Sequence, residues 1–257
     1  MGNGRNGRGG ALSPPAIGIP LDRACGRTRW SAPTVFLVLL FVVQGFSFAY
    51  VPGHFYFFGR TTEKIIALTF DDGPGPITPK VLDLLAAHHI RATFFMEGTQ
   101  VEEYAPIARQ VEKAGHEIGN HTYWHFNYHK LKNASPSRLV HELRQTESTM
   151  RRAFRNPGWR THVVRMPYGY FNHTWLLPTL KKEGYALVHW SCDEEGRPDQ
   201  TAEQMAGAYV AHAKPGAVFL FHDGGRHREK TLEAVTLVVQ ALEDKGYRFV
   251  PAEEMFR

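Results

Sequence analysis

Two aspartates stand side by side at Asp71-Asp72, between the apolar run IALTF and the turn residues Gly73-Pro74. Neighbouring residues at a strand end point in different directions, so two adjacent carboxylates can take different tasks. An Asx-type turn closed by Gly73 and Pro74 would use the same residues. Further on, His121 and His125 form H-x3-H, a spacing that puts two imidazoles on one face of a helical turn. Two imidazoles and one carboxylate suffice to hold a catalytic zinc-type ion with a position open for water. The chain has 14 histidines, and Phe126 and Tyr128 follow His125, so chance spacing and an exposed aromatic surface compete with that reading. Arg165 sits in the apolar stretch VVRMPYG. A buried arginine there requires a carboxylate partner, whereas an edge-facing one would sit in a surface salt bridge. His222 ends the apolar run VFLFH, where it serves either as a general acid–base group or as a satisfied core histidine.

These residues need elements to position them. Apolar runs predict strands at Ile65–Phe70, Ala92–Phe95, Glu117–Asn120, Val163–Met166, Ala186–Trp190, Ala217–His222 and Arg248–Pro251. Helices are expected between them near 78–89, 101–114, 136–155, 174–183, 202–213 and 230–245, the last with Leu232, Val235, Val239 and Leu242 on one stripe. Thr78-Pro79 reads as an N-cap and first helical residue, and Gly115, Gly184 and Gly246 as helix stops. Alternating strands and helices predict one α/β domain of parallel strands with helical crossovers. In such folds the chemistry lies at the carboxyl ends of the strands. Asp71-Asp72, His121 to His125, Pro167-Tyr168-Gly169 and His222-Asp223 all fall there.

Taken in this order, TFDDGP at 69–74, RATFF at 91–95, HTYWH at 121–125, RMPYG at 165–169 and LFHD at 220–223 resemble the polysaccharide deacetylase family, the NodB-type domain of carbohydrate esterase family four, over roughly residues 62–254. The resemblance implies a distorted (β/α) barrel that hydrolyses N-acetyl or O-acetyl groups on a sugar. It implies Asp72, His121 and His125 as metal ligands and Asp71 as general base. Arg165 would hold the base, the Tyr168 backbone N–H would bind the oxyanion, His222 would be the general acid, and Leu220 would line the acetyl-methyl pocket. Arg91 would support the site from the second strand. The expected ion is zinc, with cobalt or nickel as alternatives. The implied function is removal of N-acetyl groups from N-acetylglucosamine-containing polysaccharide, peptidoglycan or a chitin-like oligomer. The alternative is a catalytically silent carbohydrate-binding or envelope scaffold protein on the same fold. One departure stands out. The family's Asp-Trp pair, whose aspartate tunes the acid histidine, falls at Gly196-Arg197. Asp193, Glu194, Glu195 and Asp199 are candidate substitutes, but none is assigned, so His222 is expected to lack its tuning carboxylate and the alkaline limb of activity to fall at lower pH than in relatives carrying the aspartate.

The 257 residues suffice for one large α/β domain, and 43% hydrophobic with 21% charged residues excludes wholesale disorder or a collagen-like fibre. Two cysteines exclude a disulfide framework and a four-thiolate zinc site, and Cys192 is expected to stay unpaired and buried. Residues 1–33 hold five arginines against Asp22 and read as a disordered basic tail, which leaves 25 of the 30 basic and 24 of the 25 acidic side chains for the rest. A nearly neutral body gives no footprint for nucleic acid. The run VFLVLLFVVQGFSFAYV after the arginines predicts an N-terminal transmembrane signal-anchor at 34–51, or a signal peptide cleaved after Ala49. Either places the catalytic domain, 52–257, outside the cytoplasm, and it is expected to be a monomer.

Overall fold

A computed structural model describes residues 50–197 and 199–256, so the expected tail, and all of the expected anchor except Tyr50 and Val51, lie outside the described residues. Among the described residues, no helix is long and apolar enough to cross a membrane. Tyr50 and Val51 are not helical, and the Tyr50 hydroxyl donates to Glu117 Oε1 at 2.7 Å. The folded body therefore includes these two residues, which the sequence assigned to the anchor.

The chain alternates strand and helix: β1 (Phe55–Tyr56), β2 (Ile65–Asp71), α1 (Thr78–Ala87), β3 (Thr93–Met96), α2 (Gly98–Glu103), α3 (Ala105–Lys113), β4 (Glu117–Asn120), α4 (Pro136–Phe154), β5 (Val163–Val164), α5 (Leu176–Glu183), β6 (Ala186–Val188), α6 (Ala202–His212), β7 (Val218–His222), α7 (Glu229–Glu243), β8 (Arg248–Val250) and α8 (Ala252–Met255). All strand pairings are parallel, in the order β1-β6-β5-β4-β3-β2-β7, with β8 paired to the first residues of β2. The curled sheet is an open barrel whose ends are joined by two isolated bridges, Cys192 to Phe219 and Phe58 to Ala217.

Every residue of β2 is buried, as expected for a parallel strand covered on both faces. Ile66, Leu68 and Phe70 pack outward with Val81 and Leu85 of α1 and Val235 and Val239 of α7. Ile65 and Ala67 face inward with Phe95, Val188, Val218 and Val250. Each of these side chains except Ala67 contributes roughly 1.5–3 kcal/mol on burial. Further along the same inward column stand Thr69 and Asp71, in register with Leu220 and His222 of β7. Alternation thus carries an apolar interior up to a polar rim.

Local chemistry explains the helix ends. Ser135 Oγ accepts Arg138 N–H at 3.3 Å to start α4, and Thr201 with Gln204 forms a capping box for α6. The single helix expected over 101–114 is two, because Pro106 lacks an N–H to continue α2 and instead opens α3. Thr78 is already helical rather than the cap; its hydroxyl accepts from Gly75 N–H at 2.8 Å and donates to Asp223 Oδ2 at 2.5 Å. The strand expected over Val163–Met166 shortens to two residues because Pro167 opens a 3-10 turn. Two elements were not expected, β1 and α8. At two and four residues, both are too short to show a period. Cys192 is buried, as expected, and is unpaired among the described residues; Cys25 lies outside them.

Candidate active site

Asp71 ends β2 facing the barrel interior, and Asp72 follows with φ +66. That left-handed residue breaks the strand alternation, so both carboxylates reach the same mouth. Gly224 makes this possible: a Cβ there would lie 1.9 Å from the Asp72 carbonyl oxygen.

His121 and His125 follow β4, but not on a helical turn. Thr122 and His125 have φ +64 and +50, and the loop folds back on itself instead. Buried side chains hold it: Asn120 Oδ1 accepts Thr122 N–H at 2.9 Å, and Glu142 Oε2 accepts the N–H groups of Tyr123 and Trp124 at 3.1 and 2.8 Å. His121 Nδ1 lies 2.7 Å from the Arg165 carbonyl oxygen, which can only accept, so Nδ1 carries a proton and Nε2 is the nitrogen turned to the mouth, a lone pair when the ring is neutral. His121 Nε2 and His125 Nε2 then lie 3.3 and 3.0 Å from Asp72 Oδ1. That oxygen is buried without a hydrogen-bond partner. Asp72 Oδ2 faces Arg228 Nη2 at 3.9 Å. Burial pushes the Asp72 carboxyl upward, but the two imidazoles outweigh it and hold it well below the usual range. Two imidazole nitrogens converging on an orphaned carboxylate oxygen fit a divalent cation.

Asp71 is fixed by Arg165, which is fully buried. Arg165 Nη1 donates to Asp71 Oδ1 at 2.8 Å and to Thr69 Oγ1 at 2.7 Å; Nε and Nη2 donate to the carbonyls of Val188 and His189 at 3.1 and 2.9 Å. The guanidinium also lies over the Phe95 ring, 4.2 Å from its centre. Asp71 Oδ2 is left facing His121 Nε2 at 3.8 Å. The buried arginine and its carboxylate are thus paired, as the sequence requires.

Across the mouth, His222 Nδ1 is 2.5 Å from Glu195 Oε2, and Thr231 Oγ1 donates to the other oxygen of Glu195. Burial alone would depress the His222 imidazole, but Glu195 pushes it up to about 9. This corrects the expectation of an untuned histidine: Glu195 supplies the carboxylate missing at Gly196. Glu194 is taken by His212 and Arg197, at 2.8 and 3.2 Å. Asp193 Oδ1 accepts the Glu195 N–H at 3.2 Å. The next residue, Asp223, is buried, and desolvation raises its carboxyl to about 7.

Tyr168 sits in the 3-10 turn with φ +56, its ring exposed and 4.9 Å from that of His125. Leu220 is buried one inward position below His222. The structure thus gathers Asp71, Asp72, His121, His125, Arg165, Tyr168, Leu220 and His222 at one end of the barrel. Arg91 is not among them, and its expected role is corrected. It precedes β3, and in a parallel sheet the residue before a strand lies at the amino end, away from the mouth. There its Nε donates to the Gly115 carbonyl at 2.8 Å and its Nη2 to Glu253 at 2.7 Å. Glu142 and Glu195 were the functional side chains hardest to foresee. Glu142 left one signal, a carboxylate on the buried stripe of α4 that also holds Leu139, Leu143 and Met150.

Comparison with known proteins agrees with this geometry. Residues 58–188 match the family model described as polysaccharide deacetylase. A peptidoglycan-N-acetylglucosamine deacetylase of Bacillus cereus is 38% identical over 198 residues, 76% of this chain and 89% of the relative. A chitooligosaccharide deacetylase of a Bradyrhizobium species is 32% identical, covering 75% of this chain and 90% of the relative. The crystal structure of the Bc1960 peptidoglycan N-acetylglucosamine deacetylase superposes with a TM-score of 0.72 at 31% identity, covering 79% of this chain and 92% of that one. On its sequence, its fold and the residues gathered at its mouth, this chain belongs to the polysaccharide deacetylase family.

Proposed function

We propose that this protein hydrolyses the N-acetyl groups of N-acetylglucosamine-containing polysaccharide, peptidoglycan or a chitin-like oligomer. The observation that carries the reading is the orphaned Asp72 Oδ1 between two imidazole nitrogens, with Asp71 beside it and His222 across the mouth. Asp72, His121 and His125 would hold a divalent ion, zinc by donor chemistry and cobalt or nickel as substitutes, which when bound polarises the acetamide carbonyl and acidifies water. Asp71, oriented by Arg165, takes the proton of the attacking water. The Tyr168 backbone N–H meets the charge that develops on the carbonyl oxygen. His222, kept protonated by Glu195, gives its proton to the sugar nitrogen, which is otherwise too basic to leave. Leu220 receives the acetyl methyl. A C–O bond forms and the C–N bond breaks, so acetamide and water become acetate and a free amine.

The proposal extends to location. The uncharged run after the N-terminal arginines supports a membrane anchor with the catalytic body outside the cytoplasm. In intact cells, externally added protease should reach the body while the N-terminus is retained; a mature chain beginning at Tyr50 would replace the anchor with a cleaved signal. Acetate release by the purified protein from a panel of acetylated glycans tests the activity. Stoichiometric metal with no acetate from any of them would favour a silent binding protein.

A further inference from the structure

The loop that carries His121 and His125 also holds Trp124 in solvent. Trp124 is 54% exposed, although its backbone N–H and that of Tyr123 are tied to buried Glu142. A large apolar ring held in water beside a metal ligand is a surface prepared for something flat and partly apolar. Next to it runs a groove of about 560 Å³, within the range of small-ligand sites, lined by Phe126, Asn133, Ser135, Arg138 and His141. It is at the catalytic end of the barrel, because it is formed by the loop after β4 and the first turns of α4. The Arg138 guanidinium lies over the Phe126 ring, 4.5 Å from its centre. Its Nε is buried with no hydrogen-bond partner, and none of the ion pairs among the described residues includes it. Glu142 also lines the groove, but its Oε2 is occupied by the two loop N–H groups.

We infer that this groove is a subsite for the sugar next to the one being deacetylated, with Trp124 stacking on the ring and Arg138 receiving a carboxylate that this sugar carries. The inference rests on the proposed deacetylase activity and narrows its substrate to a peptidoglycan-type strand. A sugar ring has an apolar C–H face suited to an indole. A guanidinium steadied on an aromatic face keeps its N–H edge for planar, two-point contact with a carboxylate. A chitin-like strand offers no anion to that edge. In peptidoglycan the sugar alternating with N-acetylglucosamine carries a lactyl ether, whose acid is either free or extended by a peptide with acidic residues. Both sources present the same carboxylate chemistry.

The test compares kcat/KM for acetate release by the full-length protein on four substrates. These are chitotetraose, an alternating N-acetylglucosamine–N-acetylmuramic acid tetrasaccharide with free lactyl carboxylates, the same glycan with those carboxyls reduced to alcohols, and the same glycan bearing its peptides. Arg138→Met, which keeps the stem over Phe126, should lower the preference for a carboxylate-bearing glycan over chitotetraose about tenfold, mainly through KM, and Arg138→Lys should restore part of it. A fall on the free lactyl glycan identifies the lactyl acid, and a fall on the peptide-bearing glycan alone identifies the peptide. Trp124→Ala should raise KM on all four. A preference unchanged by Arg138→Met, or equal wild-type rates on the lactyl glycan and its reduced form with no gain from the peptides, overturns the inference. Absence of acetate from every substrate instead overturns the deacetylase reading.

Discussion

The two ends of the barrel both bury titratable groups, and they use them differently. At the amino end, Glu117 is half-buried and both its oxygens accept: Thr93 Oγ1 and Glu253 N–H donate to Oε2 at 2.6 and 2.9 Å, and Tyr50 to Oε1. Burial pushes the Glu117 carboxyl up, these hydrogen bonds pull it back, and α8 closes over it. His116 beside it is depressed to about 4 by burial and by Arg91. At the carboxyl end, the fixed partners stop short. Arg165 engages one oxygen of Asp71, Glu195 one nitrogen of His222 and the Arg165 carbonyl one nitrogen of His121, and each group keeps its other atom facing the mouth. Burial of a charge is therefore not the mark of the site. Half-satisfied groups converging on one space are.

Breaking the convergence should have the largest effect. His121→Ala or His125→Ala should remove bound divalent ion and acetate release together, because each deletes a ligand atom. Metal analysis showing full stoichiometry in either variant would sink the ligand assignment. Next, Asp71→Asn should keep the ion and lose about 10²–10⁴ of the rate, whereas Asp72→Asn should weaken ion binding itself. Equal metal loss in both would mean that the two carboxylates share one task. A subtler break is Glu195→Gln. His222 is held at about 9 by Glu195 and acts while protonated, so activity is present below that value and lost as pH rises through it. Removing the carboxylate should move the alkaline limb of the kcat/KM profile to lower pH, and Gly196→Asp should not. A limb that stays in place in Glu195→Gln would return the tuning role to another group. The smallest effect belongs to the amino end. Arg91→Ala breaks a half-exposed ion pair with Glu253 and should cost less than about 1 kcal/mol of stability, read by denaturant unfolding, with kcat/KM held. A large loss of kcat/KM would mean that the two ends are coupled.

Much of the molecule was legible before folding was considered. Strand–helix alternation announced a parallel α/β domain, since burial on both faces leaves unbroken apolar runs such as Ile65–Phe70, and helix starts and stops are local chemistry; the barrel came from the family resemblance. The two aspartates, the two histidines, Arg165 and His222 stood out as chemical residues at strand ends. The spacing of His121 and His125 suggested a helical turn, yet two left-handed residues bring the rings together in a loop; the sequence named the two histidines without the path between them.

The remaining decisions depended on partners distant in the chain. Four acidic residues follow β6 in an irregular segment with no period to orient them. Glu195 meets His222 because Thr231, at the start of α7, draws in its other oxygen, while Glu194 is drawn away by His212. Arg91 matched a motif, but its end of the barrel follows from strand direction, which places a residue before β3 opposite the rim. Glu142 holds the ligand loop from a helix that begins after it. The sequence alone therefore determined which residues can do chemistry and which segments become strands or helices, because propensity and periodicity act over a few residues. Only the tertiary structure decided which carboxylate serves which histidine, because each polar atom's partner is set by the packing of elements tens of residues apart.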